Sequence, residues 1–342
     1  MSETTHIFKK LPKVELHRHL EGSLRLETML DIARAHQITV PANIVRLSNL
    51  VQVQNGEPFT YQNFLAKFAT LRMFYRSPEV IHRVTREAVE DAARDNVRYL
   101  ELRFTPVALS RAERFPLENV IDWVCNAARE AGKKFGVAVR LIASVNRHES
   151  VELAEQVAWI AADRLDDGLV ALDLAGNEAE FPAKPFVGVF REARQAGLQA
   201  TIHAGEWGGA ANVRQAIEEF GVGRVGHGVR VLEDAYTAAL AIERGTVFEV
   251  CVTSNFQSGV VTVLKDHPLQ KMLAAGMNVT LNTDDPSISQ ITLTDEYCLA
   301  CEQLGLSQEV LKERILAGLQ AGFITGKERE KLSAGLRKEL SN

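Results

Sequence analysis

The stretch KVELHRH, residues 13–19, is the first of eight short runs whose composition is typical of β-strands. In this run Val14 and Leu16 alternate with polar residues, the pattern of a strand with two different faces. The other seven runs are residues 97–104, 137–143, 169–174, 198–203, 224–227, 247–252 and 277–283. Helical patterns fill the intervals, as in residues 117–134, where apolar residues recur every three or four positions. Strands that alternate with helices predict βαβ units and a parallel sheet.

The number of βα units decides between architectures. Eight of them predict an α/β fold of the (β/α)8 TIM barrel type, formed by a single domain over residues 1–342. Residues 20–96 carry at least three helical patterns and predict a helical insertion after strand 1, and extra helices are expected after Pro286. A doubly wound open sheet is the alternative. Residues 17–23 read HRHLEGS where a dinucleotide site would need G-x-G-x-x-G, which excludes that motif but not that fold.

The composition argues against several classes of protein. Lys and Arg number 39 against 44 Asp and Glu, and without long basic runs this balance disfavours a nucleic-acid partner. No apolar stretch approaches the roughly 20 residues that span a bilayer, and residues 1–13 lack the apolar core of a signal peptide. The 4 cysteines are too few for a disulfide framework. We therefore expect a cytoplasmic protein with no membrane partner, and the sequence leaves its oligomeric state open.

Polar residues gather where the predicted strands end. His17 and His19 close the first run, and residues two apart in a strand point to the same side. At the ends of later runs stand His203, Glu206, His227, Asp284 and Asp285. The carboxyl ends of barrel strands form a ring, so these residues should meet in space. Histidine with carboxylate suits a divalent metal, most plausibly zinc, with one position open for water.

Other histidines and cysteines are expected to have ordinary roles. Those histidines are His6, His36, His82, His148 and His267, which we expect to face solvent or to make local hydrogen bonds. Cys298 and Cys301 form a C-x-x-C pair in a helical stretch. No second pair of cysteines completes a zinc site, so helix packing is the expected role.

The motifs resemble the adenosine deaminase family of metal-dependent amidohydrolases, and most of all its bacterial adenosine deaminases. The matching stretches run in family order from Leu11 to Ser289: LPKVELHRHLEGS, FLAKF, ELRFTP, LDLAGNE, HAGE, RVGHGVR, CVTSNFQSG, HPLQKMLAAG and NTDDPSIS. The resemblance implies an enzyme of purine metabolism with one Zn²⁺ per chain and a small-molecule nucleoside substrate. It implies hydrolytic deamination of adenosine and 2′-deoxyadenosine to inosine and 2′-deoxyinosine, with release of ammonia.

The resemblance also implies roles for individual residues. Zinc ligands are implied at His17, His19, His203 and Asp284. Catalytic roles are implied for Glu206, which protonates purine N1, for His227, which orients and deprotonates the attacking water, and for Asp284. Substrate contacts are implied for Asp285 at N7, the Gly176 backbone at N3, Glu21, His19, and the apolar residues Leu65 and Phe68 that close over the substrate.

Principles of catalysis agree with these roles. Zinc lowers the pKa of a bound water to about 7, and attack at purine C6 pushes electrons onto N1. Glu206 must therefore be protonated in order to donate, which requires a raised pKa. No P-C-x-x-C motif occurs, which excludes the zinc deaminase class with cysteine ligands.

Two residues depart from the family pattern. Glu21 stands where adenosine deaminases usually have an aspartate that contacts the ribose 5′-hydroxyl, and Asn177 replaces an acidic residue. Relatives that act on free adenine often carry Glu at the first position. Alternative substrates are therefore adenine, an N6-substituted adenine nucleotide or aminodeoxyfutalosine, although FLAKF and residues 51–58 (VQVQNGEP) favour adenosine. A non-catalytic purine-binding protein is a further hypothesis, which the complete set of catalytic residues disfavours.

Overall fold

Parallel strands form a barrel that follows the chain order. The computed structural model describes residues 3–341, and within them eight strands pair in sequence from the first to the last. They are β1 (Lys13–His19), β2 (Val97–Phe104), β3 (Ala138–Asn146), β4 (Leu169–Ala175), β5 (Gln199–Ala204), β6 (Arg224–His227), β7 (Val247–Val250) and β8 (Asn278–Leu281). A parallel bridge between Arg18 and Asp284 brings the last strand back to the first. The predicted (β/α)8 barrel is confirmed, and the doubly wound alternative is wrong.

Helices surround the barrel and extend its upper rim. They are α1 (Glu3–Lys10), α2 (Leu26–Ala35), α3 (Ile44–Val51), α4 (Tyr61–Leu71), α5 (Pro78–Arg94), α6 (Pro106–Ser110), α7 (Leu117–Phe135), α8 (Val151–Ala162), α9 (Val187–Gln195), α10 (Ala210–Glu218), α11 (Ala235–Glu243), α12 (Val252–Gln257), α13 (Leu269–Ala274), α14 (Pro286–Ser289), α15 (Leu293–Glu302), α16 (Gln308–Ala321) and α17 (Gly326–Leu340). No helix among residues 3–341 has the length and apolar character needed to cross a membrane.

The predicted insertion after β1 is present and holds α2 to α5. α3 was not predicted from the sequence. It begins where the Asn43 side chain accepts hydrogen bonds from the N–H groups of Val45 and Arg46. This is ordinary N-capping by asparagine. α4 carries Leu65 and Phe68, which line a cavity above the carboxyl end of the barrel. The insertion therefore roofs the face on which barrel enzymes place their sites.

Two strands are shorter than the sequence predicts. β7 ends at Val250 and not at residue 252, because the buried chain turns at Cys251 into α12. There the side chain of Glu296 accepts hydrogen bonds from the backbone N–H groups of Val252 and Thr253. β8 likewise ends at Leu281, two residues before the predicted end. A continuous apolar run does not reveal where a strand gives way to a buried helix.

Candidate metal centre and active site

Side chains from three strands and one loop converge inside the carboxyl end of the barrel. Ligand atoms of His17, His203, His227 and Asp284 lie within 4.8 Å of one another, and all four residues are buried. His19 adjoins them, because its Nε2 lies 3.3 Å from His203 Nε2 and 3.3 Å from Asp284 Oδ1. The strand-end reasoning thus selected residues that the fold brings together.

The backbone of two of these residues is unusual. His227 ends β6 with φ 60°, and Asp284, three residues after β8, has φ 64°. This left-handed region is uncommon for residues with a Cβ and persists where surrounding contacts enforce it. At Asp284 the enforcing contacts are two backbone hydrogen bonds to β1, from His19 N to Asp284 O at 2.8 Å and from Asp284 N to His17 O at 2.9 Å. The barrel closure therefore places this carboxylate against the paired histidines of β1.

The donor atoms at this centre fit a metal ion. His17 Nδ1–H donates to Glu249 at 2.8 Å, and His203 Nδ1–H donates to Asp173 at 2.8 Å. Each ring therefore presents the lone pair of its Nε2 to the centre. His17 Nε2 is buried and makes no hydrogen bond among the described residues, although Asp284 Oδ1 is only 3.3 Å away. The nitrogen and the oxygen thus face each other with lone pairs and no proton between them, an arrangement that suits a bound cation. Imidazoles whose other nitrogen donates to a carboxylate are typical of metal ligands.

A layer of buried charged residues contacts the histidines, and it was not predicted from the sequence. Arg103 is fully buried and donates to Glu249 at 2.8 Å, and its Nη1 lies 3.4 Å from Asp173. Arg224 reaches the other oxygen of Glu249 at 2.6 Å. Burial alone would raise the pKa of Glu249, but the two guanidinium groups hold it well below the usual range. Both carboxylates stay ionised and fix the rings of His17 and His203. The available signal was a charged residue within an otherwise apolar strand run.

Glu206 lies on a loop whose backbone is held by another acidic residue. Glu178 accepts hydrogen bonds from the backbone N–H groups of residues 205 to 208, at 2.7 to 3.0 Å. Glu206 itself is buried, with its Oε2 3.5 Å from His227 Nε2. Burial, followed by the neighbouring carboxylates of Asp284 and Glu178, raises the pKa of Glu206 well above its ordinary value. A neutral carboxylic acid at this position is a proton donor.

A cavity of about 230 Å³ opens above the centre. Its lining includes the residues expected to contact substrate, namely His19, Glu21, Leu65, Phe68, Gly176 and Asp285. Asn177 and Arg72 also face it. Arg72 was not among the residues predicted to contact substrate. The cavity combines an apolar roof from α4 with polar groups on the barrel side, a composition typical of small-molecule sites.

The inner wall of the cavity presents two carboxyl groups. Glu21 accepts a hydrogen bond from Thr105 N at 2.9 Å through one oxygen. The other oxygen of Glu21, and Asp285 Oδ1, are buried and have no hydrogen-bond partner within residues 3–341. Burial raises the pKa of Glu21, and burial together with Asp284 and Glu21 raises the pKa of Asp285 well above its usual range. The raised pKa values favour the protonated form of both carboxyl groups, and a protonated carboxyl can donate a hydrogen bond.

Asp285 needs the glycine at position 22. A Cβ added to Gly22 would lie 1.8 Å from Asp285 Oδ1 and 2.4 Å from Asp285 Cβ. Neither distance is compatible with a side chain larger than hydrogen. The glycine of the HRHLEGS stretch therefore makes room for the carboxyl group that faces the cavity.

His267 follows the second of its two expected roles, a local hydrogen bond. It is 4% exposed, its Nδ1 accepts from Leu269 N at 3.2 Å, and its Nε2 lies 3.3 Å from Asn255 Oδ1. Asn255 in turn contacts His227. The link depends on how α12 packs against the loop before α13, which local sequence does not reveal.

Comparisons with known proteins show which family this chain resembles. The family model described as adenosine deaminase matches residues 12–339. An adenosine deaminase from Klebsiella pneumoniae is 38% identical over 328 residues, which cover 95% of this chain and 98% of the relative. A cog1816 amidohydrolase from Burkholderia ambifaria, solved with bound Zn, has a TM-score of 0.91 and 25% identity, covering 100% of this chain and 94% of the other. Adenine deaminase from Arthrobacter aurescens has a TM-score of 0.88 and 27% identity, covering 97% and 98%.

Proposed function

The chain belongs to the adenosine deaminase family, and from that premise we propose that it deaminates adenosine and 2′-deoxyadenosine hydrolytically. The products are inosine or 2′-deoxyinosine and ammonia. One observation carries the proposal: the buried proton donor Glu206 and the His/Asp centre open into the same cavity. Water attack at purine C6 needs both of these groups at once.

We propose that the metal is zinc, one ion per chain, held by His17, His19, His203 and Asp284. Histidine nitrogens with one carboxylate are ligands that zinc favours. The Burkholderia ambifaria amidohydrolase was solved with bound Zn, which supports the choice of ion. When bound, such an ion would lower the pKa of a water molecule to about 7, so that a nucleophile exists at neutral pH.

Glu206 supplies the proton that the purine needs. As water attacks C6, electron density moves onto N1, and a donor at N1 stabilises the tetrahedral intermediate. The raised pKa of Glu206 favours the protonated carboxyl, which can donate at that moment. General acid catalysis of this kind contributes about 10²- to 10⁴-fold to a rate. His227, 3.5 Å from Glu206, is placed to hold the attacking water.

The remaining cavity residues hold the base. N7 of a purine only accepts hydrogen bonds, and Asp285, with its raised pKa, can donate one. The Gly176 backbone is assigned to N3, while Leu65 and Phe68 of α4 cover the purine and exclude water. His19 and Glu21 are assigned to the ribose side.

A second substrate class is favoured by Arg72. Its guanidinium lines the cavity, lies 6.0 Å from the centre of the Phe68 ring, and makes no ion pair with any described residue. It is near enough to Glu21 to influence the pKa of that carboxyl. A free guanidinium prefers carboxylate or phosphate. An adenine nucleotide is therefore the alternative substrate class.

A substrate panel tests these proposals. The zinc-loaded protein is incubated with adenosine, 2′-deoxyadenosine, adenine, adenosine 5′-monophosphate, an N6-methylated form of that nucleotide and aminodeoxyfutalosine, and kcat/KM is measured from ammonia release. We expect the highest value for adenosine. The absence of inosine would refute the first proposal. A preference for nucleotides that Arg72→Gln abolishes, while leaving adenosine turnover intact, would establish the second.

Binding and catalysis are separated by Glu206→Gln. This variant should still bind adenosine but convert at least about 100-fold less of it. If turnover persisted, the assignment of Glu206 would be wrong. If the wild-type protein bound adenosine without any turnover, the non-catalytic hypothesis would hold.

A further inference from the structure

A chain of two buried side chains leads away from His227. Its Nδ1 lies 3.1 Å from Asn255 Nδ2, and Asn255 Oδ1 lies 3.3 Å from His267 Nε2. The exposed fractions of the three side chains are 1%, 0% and 4%. None of the roles assigned above uses Asn255 or His267.

The direction of these hydrogen bonds is fixed by a backbone amide at the far end. Leu269 N lies 3.2 Å from His267 Nδ1, and a backbone N–H can only donate. His267 Nδ1 is therefore an acceptor. Burial lowers the pKa of His267 to about 4, so near neutral pH the ring is uncharged and carries its proton on Nε2. That Nε2–H donates to Asn255 Oδ1.

The orientation of Asn255 follows, and with it the tautomer of His227. Because Oδ1 faces His267, the amide NH2 of Asn255 faces His227 and donates to Nδ1. A neutral imidazole that accepts at Nδ1 carries its proton on Nε2. The Nε2–H of His227 is thus directed into the centre, towards Glu206 Oε2 at 3.5 Å.

Two other histidines of the centre, His17 and His203, have the opposite tautomer. Glu249 and Asp173 are acceptors, so His17 and His203 carry protons on Nδ1 and present Nε2 lone pairs. The partner at Nδ1 therefore sets the tautomer of each imidazole. The carboxylates of Glu249 and Asp173 select the Nδ1–H form, and the amide of Asn255 selects the Nε2–H form. A ring with a lone pair can bind a metal, whereas a ring with Nε2–H cannot bind one through that nitrogen.

We propose that Asn255 and His267 are positioning residues that hold His227 as an Nε2–H donor. This inference rests on the proposed function, and it changes one part of the role that the family resemblance implies. His227 orients the attacking water by donating a hydrogen bond to it. Its Nε2 does not take up the proton of that water, and it does not serve as a ligand.

The direct test reads the proton positions in the zinc-loaded protein. Nitrogen-15 labelling of the histidines and imidazole ¹⁵N–¹H correlation spectra report which nitrogen of His227 is protonated. We expect Nε2 protonated and Nδ1 unprotonated in the wild-type protein. The opposite pattern would overturn the proposal. Because no substrate is present, this readout stands whether or not adenosine proves to be the substrate.

Asn255→Asp replaces the hydrogen-bond donor that faces His227 Nδ1 with an acceptor. A carboxylate cannot donate, so a proton should appear on His227 Nδ1 in the same spectra. We expect kcat to fall by about 10- to 100-fold, with KM for adenosine nearly unchanged and one zinc still bound per chain. Gln257→Glu is the matched control, because it makes the same amide-to-carboxylate change on α12 away from His227. Wild-type kcat in Asn255→Asp would contradict the proposal.

Variants at His267 give a second, independent readout if Asn255→Asp fails to fold. Gln at this position can still donate to Asn255 Oδ1, whereas Leu cannot. His267→Gln should therefore retain both the His227 proton pattern and most of kcat, and His267→Leu should lose both. Equal kcat values for the two variants would show that donation by residue 267 has no part in positioning His227.

Discussion

Glu178 is predicted to control the position of Glu206, and Glu178→Gln tests this. One oxygen of Glu178 accepts from Gly205 N at 2.7 Å and from Asn212 Nδ2 at 2.8 Å. The other accepts from the backbone N–H groups of residues 206, 207 and 208, each at 3.0 Å. A glutamine replaces one of these acceptors with an NH2 group, which cannot accept. At least two hydrogen bonds are therefore lost at a side chain that is 5% exposed.

The size of the effect follows from the number of bonds. Hydrogen bonds to a charged group are each worth about 1.5–3 kcal/mol, and the buried donors left behind are costly. We expect the free energy of unfolding to fall by about 3 kcal/mol. Movement of the loop should also displace Glu206, and a misplacement of about 1 Å can cost 10²-fold in rate. We therefore expect kcat for adenosine to fall by about 100-fold.

The assay combines denaturant unfolding with steady-state kinetics. Glu180→Gln is the matched control, because Glu180 is exposed and lies in the same loop as Glu178, after β4. Among the described contacts, its side chain receives a hydrogen bond only from Tyr61, at 3.3 Å. Its free energy of unfolding should change by no more than about 0.5 kcal/mol. If Glu178→Gln had wild-type stability and wild-type kcat, the reasoning about this loop would be refuted.

Three further predictions concern other parts of the site. Gly22→Ala should displace Asp285 and raise KM for adenosine by about tenfold, which corresponds to the loss of roughly one hydrogen bond. The variant should also lose the preference for adenosine over 7-deazaadenosine, which has no N7 acceptor. A retained preference for adenosine would contradict this prediction. Because the pKa of His267 falls from 6.5 to about 4 on folding, the unfolded state binds more protons in that window, and stability should drop by about 3 kcal/mol as pH falls through it. Over the same pH range, the free energy of unfolding of His267→Gln should drop by about 3 kcal/mol less than that of the wild-type protein, because glutamine does not titrate. Denaturant unfolding at a series of pH values measures this difference, and a wild-type pH dependence in the variant would contradict the prediction. Asp284→Asn should retain less than one zinc per chain after dialysis against a chelator, measured by metal analysis, and full retention would exclude Asp284 as a ligand.

Much of the barrel could be predicted because its strands keep a local signature. β1, β2 and β6 begin and end as the sequence indicates, since β1 has polar residues at both of its ends, and β2 and β6 are flanked by polar residues or glycine. The rule that functional residues stand at carboxyl ends of strands then brought together residues far apart in sequence. The cluster of candidate metal ligands could be predicted in this way because its members lie at or just after the carboxyl ends of different strands.

The supporting residues could not be found in this way. Glu249 and Arg103 lie inside strands, and their pairing depends on which side chains meet across the barrel. Asn255 on α12 and His267 in the loop before α13 are 12 residues apart and meet through tertiary packing. α3 lies in the insertion, where helix positions are set by packing and by a single capping asparagine. These features depend on tertiary contacts, which the periodicity of a sequence does not reveal.

The most direct measurement is a titration of metal-free protein with Zn²⁺ in the presence of adenosine, with inosine, ammonia and bound zinc determined at each step. Inosine and ammonia should form in equal amounts, at a rate that rises with bound zinc and levels off at one ion per chain. Glu206→Gln should bind the same amount of zinc and form almost no inosine. A protein with one zinc per chain that leaves adenosine unchanged, or full activity without any metal, would contradict the account.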